Sequence, residues 1–370
     1  MQIDAAVCRT TGGPLTLETL ELNEPRDDEI LVRVVGTGIC HTDIGMCEAP
    51  NRVPKPIVLG HEGAGVVEKV GRRIVKVKPG DHVVMSFNSC GHCSSCSRGD
   101  VAYCQNLNDS NFSGGREDGS TAFSKGGEAI HSHFFNQSAF ATYALCSERN
   151  VVPIRKDFPL ELAGPLGCGF QTGAGAVINS LQVQAGRVIG IFGVGSVGLA
   201  AVMAAKASGA GAIVAVDTTQ SRLDMAKELG ATHAINALEQ ETFSVLRSIA
   251  PDGMDYALDT SGNIEVIREA VGNLAVRGVC GLIATAKGAD MRANVLQMVL
   301  GARSVRGIHQ GDSVPEIFIP HMIEMYMRGE FPFDKLVKFY GLSEINDAIA
   351  DMHSGMTIKP IVLMPPQAQG

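Results

Sequence analysis

Four cysteines within fifteen residues constrain the fold of this chain more than any other feature. Cys90, Cys93, Cys96 and Cys104 form a C-x2-C-x2-C-x7-C run, and four thiolates at this spacing can close around one tetrahedral Zn2+. A ferredoxin-type cluster would have a last gap of three residues and a following proline, whereas Gln105 follows here. Disulfides across two-residue gaps would be strained. The run therefore predicts a lobe held by a structural zinc ion.

A second set of metal ligands is dispersed along the chain. Cys40 lies in GICHTD, His61 in GHEG and Cys168 in GCG, so only the fold could bring them together. Each could be an ordinary core residue, but their glycine-rich and polar settings favour a metal. Three protein ligands leave a tetrahedral zinc one open position for a substrate oxygen. We expect Asp43 to orient His61 through its second ring N–H, and Thr42 to place a hydroxyl near the open position.

Composition limits the class of protein. A chain of 370 residues is expected to form about two domains. Its net charge of -8 disfavours nucleic acid and anionic membranes as partners. The start, MQIDAAVCRTTGG, lacks the apolar core of a signal peptide, so we expect a cytoplasmic protein. Ten cysteines then suggest metal ligands or free thiols before disulfides, which leaves Cys8, Cys47, Cys146 and Cys280 without a role.

The distribution of strand and helix patterns predicts two domains of different type. Short strand-like runs such as ILVRVVGTGIC and DHVVMSF fill the first 170 residues and indicate an antiparallel β domain. From about Leu181, strands alternate with helices, which is typical of a doubly wound parallel sheet. The last stretch is helical, ends in KPIVLM and is expected to return to the first domain. The predicted class is α/β, with domains at residues 1–170 plus 309–370 and at residues 171–308.

A nucleotide-binding motif stands at the start of the alternating region. The stretch Val188–Ala205 is uncharged and long enough for a membrane helix, but its glycines favour a buried strand that turns into a buried helix. Gly193, Gly195 and Gly198 form a G-x-G-x-x-G between them, which allows a close approach to pyrophosphate. Asp217 follows nineteen residues later. Its carboxylate can accept the ribose hydroxyls and would repel a 2'-phosphate, so we predict NAD over NADP.

Together, these motifs resemble the zinc-dependent alcohol dehydrogenases of the medium-chain dehydrogenase/reductase superfamily. GHEGAGVVEKVG, the four-cysteine lobe, GPLGCGFQTGAGAV and GVGSVG occur in the order expected for that family. Within it, FNSCGHC, NFSGG, HFFNQSAFATYA and EFPFDKLVKFY are most similar to bacterial aryl-alcohol (benzyl alcohol) and geraniol dehydrogenases. The resemblance implies a GroES-like catalytic domain and a Rossmann domain. It also implies a homodimer or homotetramer, with an interface near Gly301 to Gly307.

The resemblance also implies roles for individual residues. Cys40, His61 and Cys168 would hold the catalytic zinc, and Thr42 would accept the hydroxyl proton before hydride passes to the nicotinamide. Glu62 would be either an occasional zinc ligand or a local hydrogen-bond acceptor. Further contacts are implied for the cofactor, from Thr172, Val197, Arg222 and Lys359, and for the substrate, from Phe134, Phe135 and Phe140.

Two positions depart from the family pattern. Many liver-type relatives carry a histidine five residues after the first zinc cysteine as the terminal base of the proton relay, whereas this chain has Gly45. Relatives also often place an arginine beside that cysteine to bind pyrophosphate, and here the residue is His41. Histidine is only partly charged near neutral pH. We therefore expect His41 to bind NADH more loosely, with faster release.

These observations predict a reversible, zinc- and NAD-dependent oxidation of primary aromatic or allylic alcohols to aldehydes, since aromatic pocket walls suit a flat ring or an isoprenoid tail. One alternative is a glutathione-dependent formaldehyde dehydrogenase, which would need a cation in the pocket for the glutathione carboxylate. A polyol or secondary-alcohol dehydrogenase is another. The third is a non-catalytic zinc and nucleotide sensor, against which the intact set of Cys40, Thr42, His61 and Cys168 argues.

Overall fold

The chain divides into two compact units. The computed structural model describes residues 1–285 and 288–365. The first unit contains Met1–Cys168, Val314–Glu324 and residues 334–365, and the second contains Gly169–Ser313 and Met325–Phe333. The sequence prediction placed the breaks after residues 170 and 308, and it left the short Met325–Phe333 segment in the first domain.

Strands dominate the chain up to Cys168. They are β1 (Gln2–Cys8), β2 (Thr16–Leu22), β3 (Ile30–Gly38), β4 (Ile57–Val58), β5 (Gly63–Val70), β6 (His82–Met85), β7 (Phe123–Lys125), β8 (Glu128–Ile130), β9 (Tyr143–Cys146) and β10 (Val151–Pro153). Short helices lie between them: α1 (His41–Glu48), α2 (Ser94–Ser97) and α3 (Leu107–Phe112). Single turns of 3-10 helix occur at Val101–Tyr103, Phe134–Asn136, Leu160–Leu162 and Gly164–Gly167.

Strands and helices alternate after Cys168. In order they are α4 (Gly169–Gly175), which continues as a π-helix over Ala176–Ser180, β11 (Val188–Phe192), α5 (Ser196–Ala207), β12 (Ala212–Asp217), α6 (Gln220–Leu229), β13 (His233–Asn236), α7 (Thr242–Ile249), β14 (Met254–Asp259), α8 (Ile264–Gly272), β15 (Leu274–Leu282), α9 (Val295–Gly301) and β16 (Ser304–Gly307). The chain ends with α10 (Pro315–Met327), β17 (Val337–Gly341), α11 (Ile345–Ser354) and β18 (Lys359–Leu363), and 3-10 turns at Gln310–Asp312, Phe333–Leu336 and Leu342–Glu344.

The first unit is built on two sheets. One has the strand order β4-β1-β2-β7-β8, and the other has the order β10-β6-β5-β3-β18-β17 with β9 also paired to β3. Strand β3, with the sequence ILVRVVGTG, is buried along most of its length and therefore reads as a nearly continuous apolar run. Strand β18 pairs antiparallel with β3, where Ile361 lies opposite Gly38. This pairing brings the end of the chain back to the first unit.

The second unit is built on one parallel sheet. Its order is β13-β12-β11-β14-β15-β16, and all neighbouring strands run parallel. Strands VIGIF and AIVAVD are almost entirely buried, as expected where helices cover both faces. The uncharged Val188–Ala205 stretch divides into β11, a glycine turn and most of α5. Among the described residues, no helix has the length and apolarity needed to cross a membrane.

An aromatic cluster explains why Met325–Phe333 belongs to the second unit. The Phe333 ring centroid lies 4.9 Å from that of Phe170 on α4 and 5.0 Å from that of Tyr326. Phe331 adds a further ring 5.8 Å from Phe333, and Phe170, Phe331 and Phe333 are fully buried. The sequence prediction missed this return because it depends on ring contacts of Phe331 and Phe333 with Phe170 that no local pattern indicates.

The structure corrects one expectation about the cysteines. Cys8 and Cys47 are joined in a disulfide, with their Cα atoms 6.2 Å apart, whereas the sequence favoured metal ligands or free thiols. Cys8 ends β1 and Cys47 lies near the end of α1, so tertiary structure alone brings them together across 39 residues. Cys146 and Cys280 are buried free thiols, and burial raises the pKa of each.

Candidate active site

One carboxylate organises the backbone around the dispersed ligands. Cys40 immediately precedes α1, and its N–H donates to Asp43 Oδ2 at 3.0 Å. Asp43 Oδ1 accepts the N–H of Gly60 at 3.0 Å and lies 2.8 Å from His61 Nδ1. Asp43 is 1% exposed, so these bonds form away from water and fix the imidazole plane. Because Nδ1 carries the proton toward Asp43, His61 Nε2 is left as a lone-pair donor.

The ligand atoms of the dispersed set converge. The sulfur atoms of Cys40 and Cys168, a ring nitrogen of His61 and a carboxylate oxygen of Glu62 all lie within 4.8 Å of one another. His61 Nε2 is buried and has no hydrogen-bond partner among the residues that the structure describes, which a native protein rarely leaves uncompensated. Two sulfurs, one imidazole nitrogen and an oxygen in a tetrahedral-sized cluster are a donor set that suits Zn2+.

The thiol pKa values support the same conclusion. A hydrogen bond from the Cys168 thiol lowers the pKa of Cys40 well below its ordinary value against the opposing effect of burial, and His61 adds to the effect. The same hydrogen bond, together with burial, raises the pKa of Cys168 well above its ordinary value. The more acidic Cys40 sulfur is thus suited to bind a divalent cation as a thiolate. These residues therefore fit a zinc ion.

Glu62 is held by a buried ion pair. Lys359 Nζ lies 3.0 Å from Oε1 and 2.8 Å from Oε2 of Glu62, and it also donates to the carbonyl of Ile39 at 3.1 Å. A Cβ on Gly38 would lie 2.1 Å from Glu62 Oε2, so only glycine leaves room for this carboxylate. Lys359 is 1% exposed. Its ammonium lies beside the predicted metal ligands, and its contact with cofactor phosphates stays a prediction.

Thr42 and His41 occupy the first turn of α1. The Thr42 hydroxyl oxygen lies 3.7 Å from Cys40 Sγ, and the residue is half-buried. His41 is exposed, and its ring lies edge-on to the ring of His353 on α11, with centroids 6.2 Å apart. Gly45 lies one turn further along, where a Cβ would meet open space. The hydroxyl of Thr42 is therefore the proton-exchanging side chain that α1 offers next to Cys40.

Aromatic rings surround His61. Phe135 stacks on its imidazole with centroids 4.5 Å apart, and Phe134 meets it edge-on at 5.7 Å. Gln137 clamps the same stretch of chain, because its Nε2 donates to the His61 carbonyl at 3.0 Å and its Oε1 accepts the N–H of Gly63 at 3.0 Å. Phe134 and Phe135 are both buried. Their predicted role in substrate contact stays a prediction, while their contact with the histidine ligand is direct.

Phe140 lies in a different place from the other two predicted pocket residues. Its ring is 1% exposed and packs at Gly60, where an added Cβ would lie 2.6 Å from the ring. Its N–H donates to the carbonyl of Leu59 at 3.0 Å. Phe140 therefore supports the turn before His61 from the hydrophobic core, and its contact with substrate stays a prediction.

The four-cysteine lobe forms a second cluster. The sulfur atoms of Cys90, Cys93, Cys96 and Cys104 lie within 4.8 Å of one another. Backbone N–H groups point at them, from Cys90 to the Cys104 sulfur at 3.3 Å and from Cys96 and Gln105 to the Cys93 sulfur at 3.5 Å. A backbone hydrogen bond lowers the pKa of Cys90 to about 6. Four converging thiols with N–H donors fit a closed structural zinc site.

The glycine motif of the second unit joins β11 to α5. Gly193 has φ +86°, and a Cβ on Gly198 would lie 2.0 Å from the Gly193 carbonyl, so this turn requires both glycines. Gly195 precedes α5 and has open space in front of it. Asp217 ends β12 and accepts the N–H of Val194 at 2.7 Å. The helix N-terminus and the carboxylate therefore stand together in the arrangement that binds a dinucleotide.

The remaining predicted cofactor residues lie in the same unit. Helix α4 packs closely on α5, because a Cβ on Gly173 would lie 2.0 Å from the Val197 carbonyl, and this places Thr172 and Val197 near each other. Thr172 is 8% exposed, with its hydroxyl 3.4 Å from Gln310 Oε1. Arg222 lies on α6, and its Nε is buried without a hydrogen-bond partner in the described part of the chain. Their cofactor contacts remain predictions.

Comparisons with known proteins agree with this geometry. Residues 26–156 match the family model of the alcohol dehydrogenase GroES-like domain, and residues 196–327 match that of the zinc-binding dehydrogenases. The chain is 42% identical to the geraniol dehydrogenase of Castellaniella defragrans over 362 residues, which cover 97% of each protein. The chain belongs to the zinc-dependent alcohol dehydrogenases.

Solved structures of the family superpose on the whole chain. An alcohol dehydrogenase zinc-binding domain protein from Burkholderia ambifaria is 49% identical with a TM-score of 0.97, and the match covers 99% of this chain and 100% of that one. Benzyl alcohol dehydrogenase from Acinetobacter calcoaceticus is 42% identical with a TM-score of 0.95 and the same coverage. The family and the fold predicted from sequence, a GroES-like domain with a Rossmann parallel sheet, are therefore confirmed, and the chain is an alcohol dehydrogenase.

Sequence reasoning missed several residues that shape the metal site of this alcohol dehydrogenase. Gln137 binds the backbone of His61 and Gly63, Gly38 makes room for Glu62, and Phe112 packs on the rings of Phe134 and Phe135. Gly38 is the first residue of the GICHTD motif, but the motif gives no sign of its contact with Glu62. Gln137 and Phe112 carry no local signal, because their roles depend on contacts across the fold.

Proposed function

We propose that this alcohol dehydrogenase oxidises primary aromatic or allylic alcohols to aldehydes with NAD+, in a reversible reaction. The observation that carries the proposal is the largely buried cluster of Cys40, His61 and Cys168. Within the described residues, His61 Nε2 has no hydrogen-bond partner, and the rings of Phe134 and Phe135 pack on the imidazole. Such a setting joins metal ligands to an apolar, aromatic environment that suits a flat or unsaturated substrate. Relatives named for geraniol and benzyl alcohol support the same class.

Each residue of the cluster has a defined part in the reaction. A zinc ion held by Cys40, His61 and Cys168 would supply the Lewis acidity that lowers the pKa of the substrate hydroxyl. The Thr42 hydroxyl accepts the proton of the alcohol and passes its own proton on to water or a ribose hydroxyl, because Gly45 supplies no base. Asp43 keeps His61 in the tautomer that leaves Nε2 free. A nicotinamide cofactor bound at the glycine motif would supply the acceptor for the hydride that leaves the alcohol carbon as its C–O bond becomes a carbonyl.

The cofactor preference rests on Asp217. Its carboxylate follows the glycine motif at the end of β12 and is held by the N–H groups of Val194, Thr218 and Thr219. A fixed negative charge at this position favours a free ribose hydroxyl over a 2'-phosphate. We therefore propose NAD as the cofactor, together with two zinc ions per chain, one catalytic and one in the four-cysteine lobe.

The exposed face of α9 supports the proposal of a homo-oligomer. Val295, Leu296, Val299 and Leu300 are between 66% and 75% exposed on this helix, and β16 forms the edge of the parallel sheet. An exposed apolar helix face and an outermost strand are both typical of an interface between subunits. We propose a homodimer that buries this face, or a homotetramer assembled from such dimers.

The test is initial-rate NADH formation with benzyl alcohol, geraniol, ethanol and S-hydroxymethylglutathione, each with NAD+ and NADP+. We expect the highest kcat/KM for benzyl alcohol or geraniol with NAD+. Turnover restricted to the glutathione adduct would assign the chain to the formaldehyde branch instead. Equal kcat/KM for ethanol and benzyl alcohol would refute the aromatic preference, and an inactive zinc-loaded protein would favour the sensor hypothesis.

The role of Thr42 gives a sharper test of the mechanism. Thr42→Val removes the hydroxyl at nearly constant volume, and we expect kcat to fall by roughly 10²–10⁴-fold because proton transfer is lost. Thr42→Ser keeps a hydroxyl and is the matched control, so it should retain most of the rate. Zinc content is measured for both variants. Equal activity of the valine and serine variants would show that Thr42 does not carry the proton.

A further inference from the structure

Two irregular segments carry the phenylalanines around His61. The first is residues 107–116, which consist of α3 with Phe112 at its end and the turn that follows, and the second is residues 133–138, the aromatic segment, which contains Phe134 and Phe135. The Phe112 ring lies 5.2 Å from Phe135 and 5.9 Å from Phe134, and the latter two lie 5.0 Å apart. Three rings therefore form one cluster that stacks on the histidine ligand, although neither segment belongs to a sheet.

The aromatic segment has a strained backbone. His133, Phe135, Asn136 and Ser138 all have positive φ, at 60°, 52°, 54° and 54°. Left-handed conformations are uncommon for residues other than glycine and persist only where the surroundings determine them. Four of them within six residues mean that outside contacts hold the two rings in place. The question is which residue supplies those contacts.

Glu29 binds both segments. It immediately precedes β3, and its carboxylate receives two bonds from Arg116, Nε to Oε1 at 2.5 Å and Nη2 to Oε2 at 3.0 Å. His133 Nε2 lies 3.5 Å from the same Oε1. Arg116 follows Phe112 by four residues, and His133 directly precedes Phe134. The single carboxylate of Glu29, at the start of β3, therefore binds one end of each ring-bearing segment.

Ser132 links His133 to the neighbouring backbone. The N–H of Ala122 donates to Ser132 Oγ at 3.1 Å, and the same Oγ lies 2.7 Å from His133 Nδ1. The other ring nitrogen, Nε2, faces Glu29. Ser132 N–H also bonds the carbonyl of Gly114 at 3.0 Å, which joins the two segments to each other beside the carboxylate.

The network is buried and charged. Glu29 is 7% exposed and Arg116 is 9% exposed. Burial alone would raise the pKa of Glu29, but the bonds from His133, Arg116 and the Arg26 backbone lower it to about 2. A buried ion pair with this many bonds tolerates little displacement of its members. The fixed positions of Arg116 and His133 therefore limit where the nearby Phe112 and Phe134 can lie.

We propose that Glu29 is a positioning residue for substrate selectivity: through Arg116 and His133 it holds the Phe112, Phe134 and Phe135 rings in place around His61. The substrate class in this proposal rests on the proposed function. Within residues 1–285 and 288–365, Glu29 makes no hydrogen bond or ion pair with His61 or the other predicted ligands, so its effect passes through the rings. Loss of the carboxylate lets the aromatic segment relax from its left-handed backbone, and the rings then leave their positions on the imidazole.

Three variants test the proposal. Glu29→Gln keeps the shape of the side chain and removes its charge. His133→Asn removes the imidazole but keeps a residue that tolerates positive φ, so it serves if the first variant folds poorly. Glu18→Gln is the matched control, because Glu18 also binds one arginine through two bonds, from Arg9 at 2.6 Å each, and lies on β2 away from the three rings.

Two readouts distinguish positioning from general stability. The first is the d–d absorption of cobalt at the Cys40, His61 and Cys168 site, after subtraction of the spectrum of a Cys40→Ser, Cys168→Ser double variant. The second is the ratio of kcat/KM for benzyl alcohol to that for ethanol. We expect shifted bands and a ratio lower by about 10-fold or more in Glu29→Gln and His133→Asn, with neither change in Glu18→Gln.

The outcomes separate this proposal from the proposed function. Folded, metal-loaded Glu29→Gln and His133→Asn with unchanged bands and an unchanged ratio would overturn the positioning role, as would equal changes in Glu18→Gln. If the unsubstituted enzyme shows no aromatic preference, the proposed substrate class fails. The cobalt bands alone then decide whether Glu29 positions the rings on His61.

Discussion

At the scale of single residues, Glu62 lies beside the predicted zinc ligands and pairs with Lys359. A Glu62 oxygen lies within 4.8 Å of the two sulfurs and the imidazole nitrogen, yet both carboxylate oxygens bind Lys359. Burial raises the pKa of Glu62 and the Lys359 charge acts against that effect. The Lys359 ammonium therefore restrains the Glu62 carboxylate, which could otherwise act as a fourth ligand of a zinc ion.

Replacing Lys359 tests this restraint. In Lys359→Met the carboxylate of Glu62 loses its partner, and we expect it to turn toward the metal, lowering kcat by about 10-fold or more while zinc content is kept. Breaking a buried pair should also cost about 3–5 kcal/mol in the free energy of unfolding. The double variant Glu62→Gln, Lys359→Met is the control, and it should recover part of both losses. Full activity of Lys359→Met would contradict the restraint.

The same pair shows where sequence reasoning stops. The motifs around Cys40, His61 and Cys168 predicted the ligand set, because glycine-framed cysteine and histidine are unusual for a core. The family resemblance assigned Lys359 to the cofactor, and that contact stays a prediction, whereas KPIVLM carries no sign of the pairing with Glu62. The two residues are 297 positions apart. Asp43, by contrast, is three residues from Cys40, and that proximity made its role predictable.

At the scale of elements, glycine in a turn allows two parts of the backbone to lie close together. Gly60 has φ +93°, and a Cβ there would lie 2.4 Å from the Phe140 backbone nitrogen. Gly45 lies inside α1, with open space around it. The first glycine is required by both conformation and packing, whereas the second only weakens its helix. Sequence alone could not separate the two, because it gives neither φ nor neighbours.

Alanine at these two positions gives opposite expectations. Gly60→Ala places a methyl group against the Phe140 backbone and forces an unfavourable φ, so we expect a loss of at least about 2 kcal/mol in unfolding free energy and weaker zinc binding by the His61 turn. Gly45→Ala should gain roughly 0.5–1 kcal/mol from helix propensity. Urea unfolding with metal analysis measures both. A Gly60→Ala variant as stable as the original would contradict this packing.

At the scale of the whole molecule, buried carboxylates make stability depend on pH. Glu29 has a pKa of about 2, below its ordinary value of 4.5. Because the folded pKa is lowered, the stabilisation is present above about pH 4.5 and is lost as pH falls toward 2. A difference of this size corresponds to at most roughly 3 kcal/mol. Acid should therefore weaken the first unit, which contains Glu29.

The pH prediction is checked by comparing variants. Urea unfolding of the original chain should show a free energy that falls between pH 4.5 and 3, and Glu29→Gln should show a smaller fall, since the amide does not titrate. Unfolding of the first unit is followed separately from that of the second, because the chain has two units. Parallel pH slopes for the two proteins would contradict a charged, buried Glu29.

The oligomer proposal is also tested on the whole molecule. Leu300→Asp places a charge on the exposed apolar face of α9, and we expect it to convert the dimer to a monomer, as measured by light scattering during gel filtration. Val75→Asp is the matched control, since Val75 is 89% exposed in the first unit, and it should leave the mass unchanged. A monomeric parent chain would contradict the proposal outright.

The fold predicted from sequence was correct at this scale, and the reason is physical. Parallel strands covered on both faces have continuous apolar sequences, and β11 and β12 could be identified from VIGIF and AIVAVD. The units' boundaries were less accurate, because the cluster of Phe170, Tyr326, Phe331 and Phe333 joins parts of the chain that no local pattern connects. Long-range side-chain packing is what single-sequence patterns lack.

The bonds of Asp43 have a consequence for how metal enters the site. A single buried carboxylate already fixes the N–H of Cys40, the N–H of Gly60 and the ring of His61. The backbone of Cys40 and the ring of His61, two of the three predicted ligands, are thus held by hydrogen bonds within the protein. Binding of a cation would therefore cost little conformational entropy at those two positions.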